Sequence, residues 1–138
     1  MVALLALTLA LAPAHAGDTT AASQMQRWSD VSGQSVNAER GRVFFTSRHG
    51  GEWSCASCHG NPPTTSTRHA STGKTITPLA PAFNPGRFTD QAKVDKWFRR
   101  NCNDVLSREC TAVEKADVLA WLLQFDAKNP PPTTKGAP

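Results

Sequence analysis

The chain has 138 residues, which suggests one compact domain, and its 39% hydrophobic and 19% charged content is ordinary for a globular protein. Its formal net charge of +4 favours acidic partners and salt-sensitive encounters, although an ordinary solvated surface explains the charge more simply. No block of Lys and Arg interleaved with aromatic residues suggests a nucleic-acid partner.

Residues 1–16 read as a signal peptide. An apolar run from Val2 ends in the small-x-small triplet Ala14, His15 and Ala16, which predicts cleavage before Gly17. The usual positive charge after Met1 is missing. A membrane anchor is the alternative, but the run is too short for ~30 Å of hydrocarbon and polar residues follow at once. We therefore expect an exported, periplasmic protein without stable membrane insertion after cleavage.

Residues 17–36 form a polar N-terminal extension that could be helical in part. Residues 37–47 predict a helix with Asn37 as its N-cap, ended by the Arg-His-Gly-Gly stretch at 48–51. The domain itself is expected to span residues 37–128.

Cys55, Cys58 and His59 form a C-x-x-C-H motif, the pattern of covalent haem c attachment. Thiols three positions apart can form thioethers with both vinyl groups of one porphyrin, and the next imidazole is then carried under the iron. A redox C-x-x-C pair and a zinc site completed by Cys102 and Cys110 are the alternatives. The first lacks the expected strand-helix context, and the second conflicts with an oxidising compartment.

Residues 60–87 are crowded with Pro, Thr, Ser and Gly and predict a long irregular wrap. Ordering such a segment needs compensating contacts, for which a large flat cofactor is a natural source. Lys74 and Arg87, within the wrap, are candidate partners for haem propionates, although a solvated surface role is equally plausible for either.

Thr89 reads as the N-cap of the next helix, with Asp90 in its first turn. The apolar stripe of this helix consists of Val94, Trp97 and Phe98, and its next position is Asn101. We expect Trp97 to pack against the haem.

Cys102 and Cys110 are the only thiols left once the haem cysteines are committed, so in an exported protein we expect them to form a disulfide. Two free buried thiols are the alternative. Thr111 and Glu114 form a capping-box pattern for a last helix from residue 112 to about 127. The Pro-rich tail at residues 129–138 is expected to be disordered.

The second axial ligand is the open question of the sequence. Exported single-haem cytochromes commonly use methionine, but the only methionines are Met1 and Met25, and none follows His59. His69 lies only ten residues past His59 and would need a tight Pro-containing loop around the haem edge, and His49 precedes the motif. The lysines at 74, 93 and 96 would have to be neutral to bind.

Asn101 is a different kind of candidate. It follows His59 by 42 residues, lies on the apolar stripe of its helix, and precedes a cysteine expected to be clamped. A buried carboxamide needs partners, and an iron atom can be one of them. Asparagine is also favoured at helix C-caps, and the residue pattern leaves the two roles roughly even.

The chain resembles the sphaeroides haem protein family of c-type cytochromes. The resemblance covers most of the mature chain, and its most specific part is the late pair of cysteine-containing blocks. The matching blocks are AERGR at 38–42, CASCHG at 55–60, TGK at 72–74, PLAP at 78–81, RFTD at 87–90, RNCN at 100–103, RECT at 108–111 and EKAD at 114–117.

The resemblance implies an all-α, small class I cytochrome c-like fold with about three to five helices around one covalent haem c. It also implies that Asn101 is the distal iron ligand, with His59 as the proximal one, and that Cys102 and Cys110 are bridged. In the family, reduction releases the asparagine so that oxygen, nitric oxide or carbon monoxide can bind, and the asparagine can donate a hydrogen bond to the gas.

The expected electron donor is a dihaem or membrane b-type cytochrome. A simple electron-transfer cytochrome without gas chemistry is the alternative function. Whether the protein is an enzyme, such as a nitric oxide dioxygenase or a peroxidase, stays open, since neither His49 nor His69 has a recognisable carboxylate partner.

Overall fold

The computed structural model describes residues 17–132, so the predicted signal peptide and the end of the tail lie outside the described residues. The elements are helices α1 (Ala21–Ser32), α2 (Ala38–Thr46), α3 (Cys55–His59), α4 (Gln91–Leu106) and α5 (Ala112–Leu122), with strands β1 (Thr67–Arg68) and β2 (Thr75–Ile76). The strands pair in one short antiparallel hairpin. The predicted all-α class with three to five helices is confirmed. Between residues 17 and 132, no helix is both long and apolar enough to span a membrane.

The core lies where α2 crosses α5. Gly41 permits the close approach, because a Cβ atom there would stand 2.0 Å from the backbone oxygen of Asp117. Phe45, one turn later, is buried against Val118, Trp121 and Leu122, and its ring centroid lies 5.0 Å from that of Trp121.

A buried carboxylate joins the same two helices. Asp117 is 2% exposed, and it accepts hydrogen bonds from the Arg40 guanidinium and, at 2.7 Å, from the backbone amide of Asn37. The predicted N-cap is confirmed, since the Asn37 side chain accepts from the Arg40 amide. One acidic side chain on α5 therefore fixes the beginning of α2.

Helix α1 lies in the segment that the sequence describes only as a polar extension. It packs against α5, and the Trp28 ring has the Arg27 guanidinium 4.0 Å and the Lys115 ammonium 4.1 Å from its centroid. Gln24 is 1% exposed and donates to Thr19. Because a glutamine and charged side chains occupy this interface, the segment has no clear apolar period.

The bounds of α4 differ from the prediction at both ends. Asp90, not Thr89, is the N-cap, because its carboxylate accepts from the Lys93 amide while the Thr89 hydroxyl donates to the Gly86 carbonyl. The helix continues past Asn101 to Leu106, where Ser107 takes a left-handed conformation with φ 57°.

Helix α5 begins with the predicted capping box of Thr111 and Glu114 but ends at Leu122, earlier than predicted. The chain then turns back, and Asp126 pairs with Asn129 in an isolated bridge.

Helix α4 is attached to the other helices at few points. Arg27 on α1 forms an ion pair with Asp95, and the Gln24 amide donates weakly to Gln91 at 3.5 Å. Only Val94 and Cys102 are fully buried along its length. The helix therefore lies beside the core and is held largely by its ends.

Candidate functional site

The C-x-x-C-H motif forms the short helix α3. Ser54 is its N-cap and exchanges hydrogen bonds with Ser57 in a capping box, and Gly60 ends the helix with φ 79°. One helical turn therefore carries Cys55, Cys58 and His59, as the attachment chemistry requires.

Both the core and the hairpin hold α3 in place. Cys55 packs against the core cluster, and the His59 ring centroid lies 6.2 Å from that of Phe45. From the hairpin, the Thr67 hydroxyl donates to the Cys58 carbonyl at 2.5 Å. The Ala70 amide donates to the Cys58 sulfur at 3.4 Å. Nothing in the sequence singles out these hairpin contacts, since they depend on where the wrap folds back.

Burial controls the protonation of the motif. It raises the pKa of the Cys55 thiol to about 11. Burial, helped by the nearby Arg87 and His69 charges, lowers the pKa of His59 to about 4. The imidazole is therefore neutral at pH 7, as a metal ligand must be, and its buried Nδ1 atom has no hydrogen-bond partner among residues 17–132.

The structure argues against both alternatives for the motif. Cys102 and Cys110 are bonded to each other, so they cannot complete a zinc site. Between residues 17 and 132, no cluster of three or more His, Cys, Asp or Glu side chains has a metal-binding arrangement. A redox cysteine needs a lowered thiol pKa, whereas that of Cys55 is raised.

The two candidate propionate partners differ. Arg87 is half-buried, and its guanidinium donates to the Pro78 carbonyl at 2.9 Å and to the Thr77 carbonyl at 2.8 Å. This pins the wrap to the segment that leads into α4. Lys74 lies exposed in the hairpin turn.

Neither alternative histidine is arranged as an iron ligand. His69 Nδ1 accepts from the backbone amides of Ser71 at 3.3 Å and Thr72 at 3.4 Å, which places the ring proton of the neutral form on Nε2. His49 Nε2 lies 2.7 Å from the Phe44 carbonyl, and its ring packs at a tilt against the Phe44 ring, with the centroids 4.5 Å apart. Each histidine ring is therefore hydrogen-bonded to backbone groups close to it in the chain.

Asn101 lies inside α4, five residues before the helix ends. The C-cap role that the sequence left open is therefore wrong, because Ser107 occupies that position. The side chain is half-buried. One turn later, the Val105 carbonyl oxygen lies 3.4 Å from the position of a Cβ atom on Gly51, in the loop that leads to the motif.

Trp97 lies one turn before Asn101 and is 47% exposed. The Lys96 ammonium and the Arg100 guanidinium lie 5.7 Å and 5.6 Å from its ring centroid. Between residues 17 and 132, Trp97 makes no contact with the core cluster.

The expected disulfide is present. Cys102 and Cys110 are bonded with their Cα atoms 5.5 Å apart, and both residues are buried. The bridge ties α4, about one turn before its end, to the residue before the α5 N-cap. Asn101 is consequently next to a fixed point of the fold.

The residues present fit a haem c. Cys55 and Cys58 would form the thioethers, and a neutral thioether suits a position where burial disfavours a thiolate. His59, neutral and with no competing hydrogen bond, would bind the iron.

Comparison with known proteins supports the same chemistry. Residues 31–122 match the family model described as a domain of unknown function, DUF1924. The cytochrome c-type protein SHP of Cereibacter sphaeroides is 48% identical over 114 residues, covering 80% of this chain and 88% of the relative. Cytochrome c'' of Methylophilus methylotrophus is 45% identical over 87 residues, covering 60% of each chain.

Solved structures agree with these relatives. The structure of oxidised SHP, described as an oxygen-binding cytochrome c, superposes with a TM-score of 0.72 at 47% identity, covering 77% of this chain and 97% of that one. Oxidised cytochrome c'' from Methylophilus methylotrophus gives 0.68 at 35% identity, covering 75% and 93%. The chain carries one covalent haem c and belongs to the sphaeroides haem protein family of c-type cytochromes.

Proposed function

We propose that this cytochrome binds its ferric haem iron with His59 and Asn101 and that Asn101 leaves on reduction, so that a diatomic gas takes its place. The observation that carries the proposal is the position of Asn101 within α4, where it has no capping role and directly precedes the disulfide-bonded Cys102. No methionine follows His59 to compete for the position.

The haem, when bound, supplies a one-electron couple and a Lewis acid whose affinity for oxygen donors falls on reduction. A carboxamide oxygen is a weak ligand beside imidazole, so Asn101 is the ligand to be released. His59 stays, because its neutral imidazole binds both oxidation states. The freed Asn101 amide can donate a hydrogen bond to oxygen, nitric oxide or carbon monoxide.

The relatives support the proposal of ligand release. Oxidised SHP is described as an oxygen-binding cytochrome, and a solution structure of cytochrome c'' is described as giving insights into haem-ligand detachment. We propose a periplasmic location and electron delivery by another cytochrome, of dihaem or membrane b-type.

The test is spectroscopic. The holoprotein is reduced anaerobically and carbon monoxide is added, and we expect a shift of the visible spectrum. Asn101→Ala should convert the ferric spectrum towards high spin while the reduced variant still binds carbon monoxide. Asn103→Ala, at an exposed position on the same helix, is the matched control.

An unchanged spectrum of the reduced wild type would favour the alternative, a simple electron-transfer cytochrome. An Asn101→Ala variant with the wild-type ferric spectrum would show that Asn101 is not the ligand.

A further inference from the structure

The outer surface of α4 carries a concentration of positive charge. Lys96, Arg99 and Arg100 lie within five residues that contain no carboxylate, and all three are exposed. Within residues 17–132 none of them forms a salt bridge, whereas Lys93, one turn earlier, pairs with Asp90 at 3.0 Å. The positive charge of this surface is therefore largely uncompensated.

The carboxylates on and beside α4 do not neutralise this positive surface. Asp90 is the N-cap, and Asp95 pairs with Arg27 on the side that meets α1. Asp104, one turn after Arg100, is exposed and bounds the cationic surface at its C-terminal end.

Trp97 lies between this surface and the proposed iron ligand, Asn101. Its indole has Lys96 and Arg100 near the ring, and Asn101 follows one turn later on the adjoining side of the helix. Arg is among the side chains most enriched at the energetic centres of protein interfaces.

We propose that the surface formed by Lys96, Arg99 and Arg100 is the docking site for an acidic, one-electron donor protein. The inference rests on the proposed function, in which the haem receives electrons from another protein. The formal net charge of +4 acts in the same direction and speeds encounter with an acidic partner at low ionic strength.

A protein partner suits this surface better than a lipid surface does. A helix that lies on a membrane needs a continuous apolar side facing outward. Here the fully buried Val94 and Cys102 point into the fold, and the exposed side of the helix carries Lys96, Arg99 and Arg100.

Anaerobic stopped-flow reduction of the ferric holoprotein by flavodoxin hydroquinone, an acidic one-electron donor protein, tests the proposal. We expect a second-order rate constant that falls as ionic strength rises. The double variant Lys96→Glu with Arg100→Glu should be reduced roughly five- to tenfold more slowly at low salt. The double variant Arg48→Glu with Lys128→Glu changes the net charge equally at exposed positions outside the surface.

Equal slowing of the two double variants would overturn the docking site, because the reduction rate would then depend only on net charge. No slowing of either variant would also overturn it, because the rate would then not depend on these charges at all. Binding to vesicles containing anionic lipid that only the α4 variant loses, with unchanged reduction, would also overturn it. Carbon monoxide binding by each dithionite-reduced variant shows that the haem site is intact. A wild type that is reduced by flavodoxin yet binds no carbon monoxide would contradict the proposed function and leave the docking result standing.

Discussion

Gly41 lies where the backbone of α2 crosses that of α5, and the absence of a side chain decides how closely the two helices approach. A Cβ atom at this position would stand 2.0 Å from the Asp117 carbonyl oxygen and 2.8 Å from the Val118 nitrogen. These are backbone atoms, which cannot rotate away as a flexible side chain can. The Phe45 ring that supports His59 depends on the same crossing.

Gly41→Ala should therefore separate α2 from α5 and lower the free energy of unfolding by about 2 to 3 kcal/mol, the usual cost of overpacking. Denaturant unfolding of the ferric holoprotein measures the loss. Gly86→Ala is the control, since its nearest contact would be the Asn84 side chain at 3.6 Å. Similar stability of the two variants would contradict the close-crossing argument.

Asn101 illustrates a residue whose meaning depends on the helix around it. At the end of α4, Asn101 would be a cap, but the helix continues to Leu106. Within a helix the backbone groups bond to one another, so the Asn101 carboxamide is not needed to cap them. The ligand role stays a proposal that the ferric spectrum of Asn101→Ala decides.

At the scale of elements, the beginning of α5 is held by a reciprocal set of hydrogen bonds. Glu114 accepts from the Thr111 amide at 2.7 Å and from the Arg108 guanidinium at 2.8 and 2.7 Å. Burial alone would raise the pKa of Glu114, but the hydrogen bonds from Arg108 and Thr111 outweigh burial and lower it. The capping box thus favours the ionised carboxylate.

A folded-state pKa below the ordinary value of 4.5 means that this stabilisation is present above pH 4.5 and is lost as pH falls through the lower folded-state value. Wild type should exceed Glu114→Gln in unfolding free energy at pH 6, by at most about 1 kcal/mol because the pair is partly exposed. The difference should shrink at pH 3. Urea unfolding at both pH values measures it, with Glu109→Gln as the control. A difference that is the same at both pH values would contradict the assigned role.

Helix α4, which carries Asn101, is connected to α1 by the ion pair of Arg27 and Asp95. Arg27 is itself stacked on Trp28, which packs against Lys115 of α5. This chain of contacts restrains the first half of α4, while the disulfide of Cys102 restrains its end.

Asp95→Asn should loosen α4 and ease release of Asn101. A half-exposed pair contributes about 0.5 to 1 kcal/mol, which corresponds to a roughly two- to fivefold larger population with the ligand released. The rate at which cyanide binds the ferric protein should rise by that factor. Glu39→Gln breaks the ion pair with Arg42 on α2 and should leave the rate unchanged. Equal rates for Asp95→Asn and wild type would show that the pair does not restrain the ligand.

For the whole molecule, the question is what holds the wrap and α4 against the core of α1, α2 and α5. The helix core is joined by extensive packing and by the ion pair between the buried Asp117 carboxylate and the half-exposed Arg40. Helix α4 has few contacts with other helices, and Trp97 stays 47% exposed. Haem contacts are the natural source of the remaining stabilisation of α4.

A chain that cannot attach haem, Cys55→Ala with Cys58→Ala, should therefore lose helical circular dichroism and protection of its amides from hydrogen exchange. The loss should be greatest in α4 and least where α2 crosses α5. Holoprotein prepared in parallel is the reference. Equal amide protection of α4 with and without haem would show that the polypeptide alone orders this helix.

The features that depend on neighbouring residues could be predicted from the sequence. The C-x-x-C-H motif, the Asn37 cap and the capping box of Thr111 and Glu114 each act over three or four residues. Prediction was less accurate at helix ends, where Thr89 and Asp90 are both acceptable caps, and it did not define α1. The partners of that helix are far along the chain.

The attachment chemistry, the pairing expected of Cys102 and Cys110 and the absence of a late methionine could be read from the chain alone, because they follow from residue identity and short spacing. Only the tertiary structure decided that Asn101 is not a cap, that His69 serves its own turn, and that Arg27 reaches Asp95. Such facts depend on how far a helix continues and on which distant residues meet, and both are settled by packing.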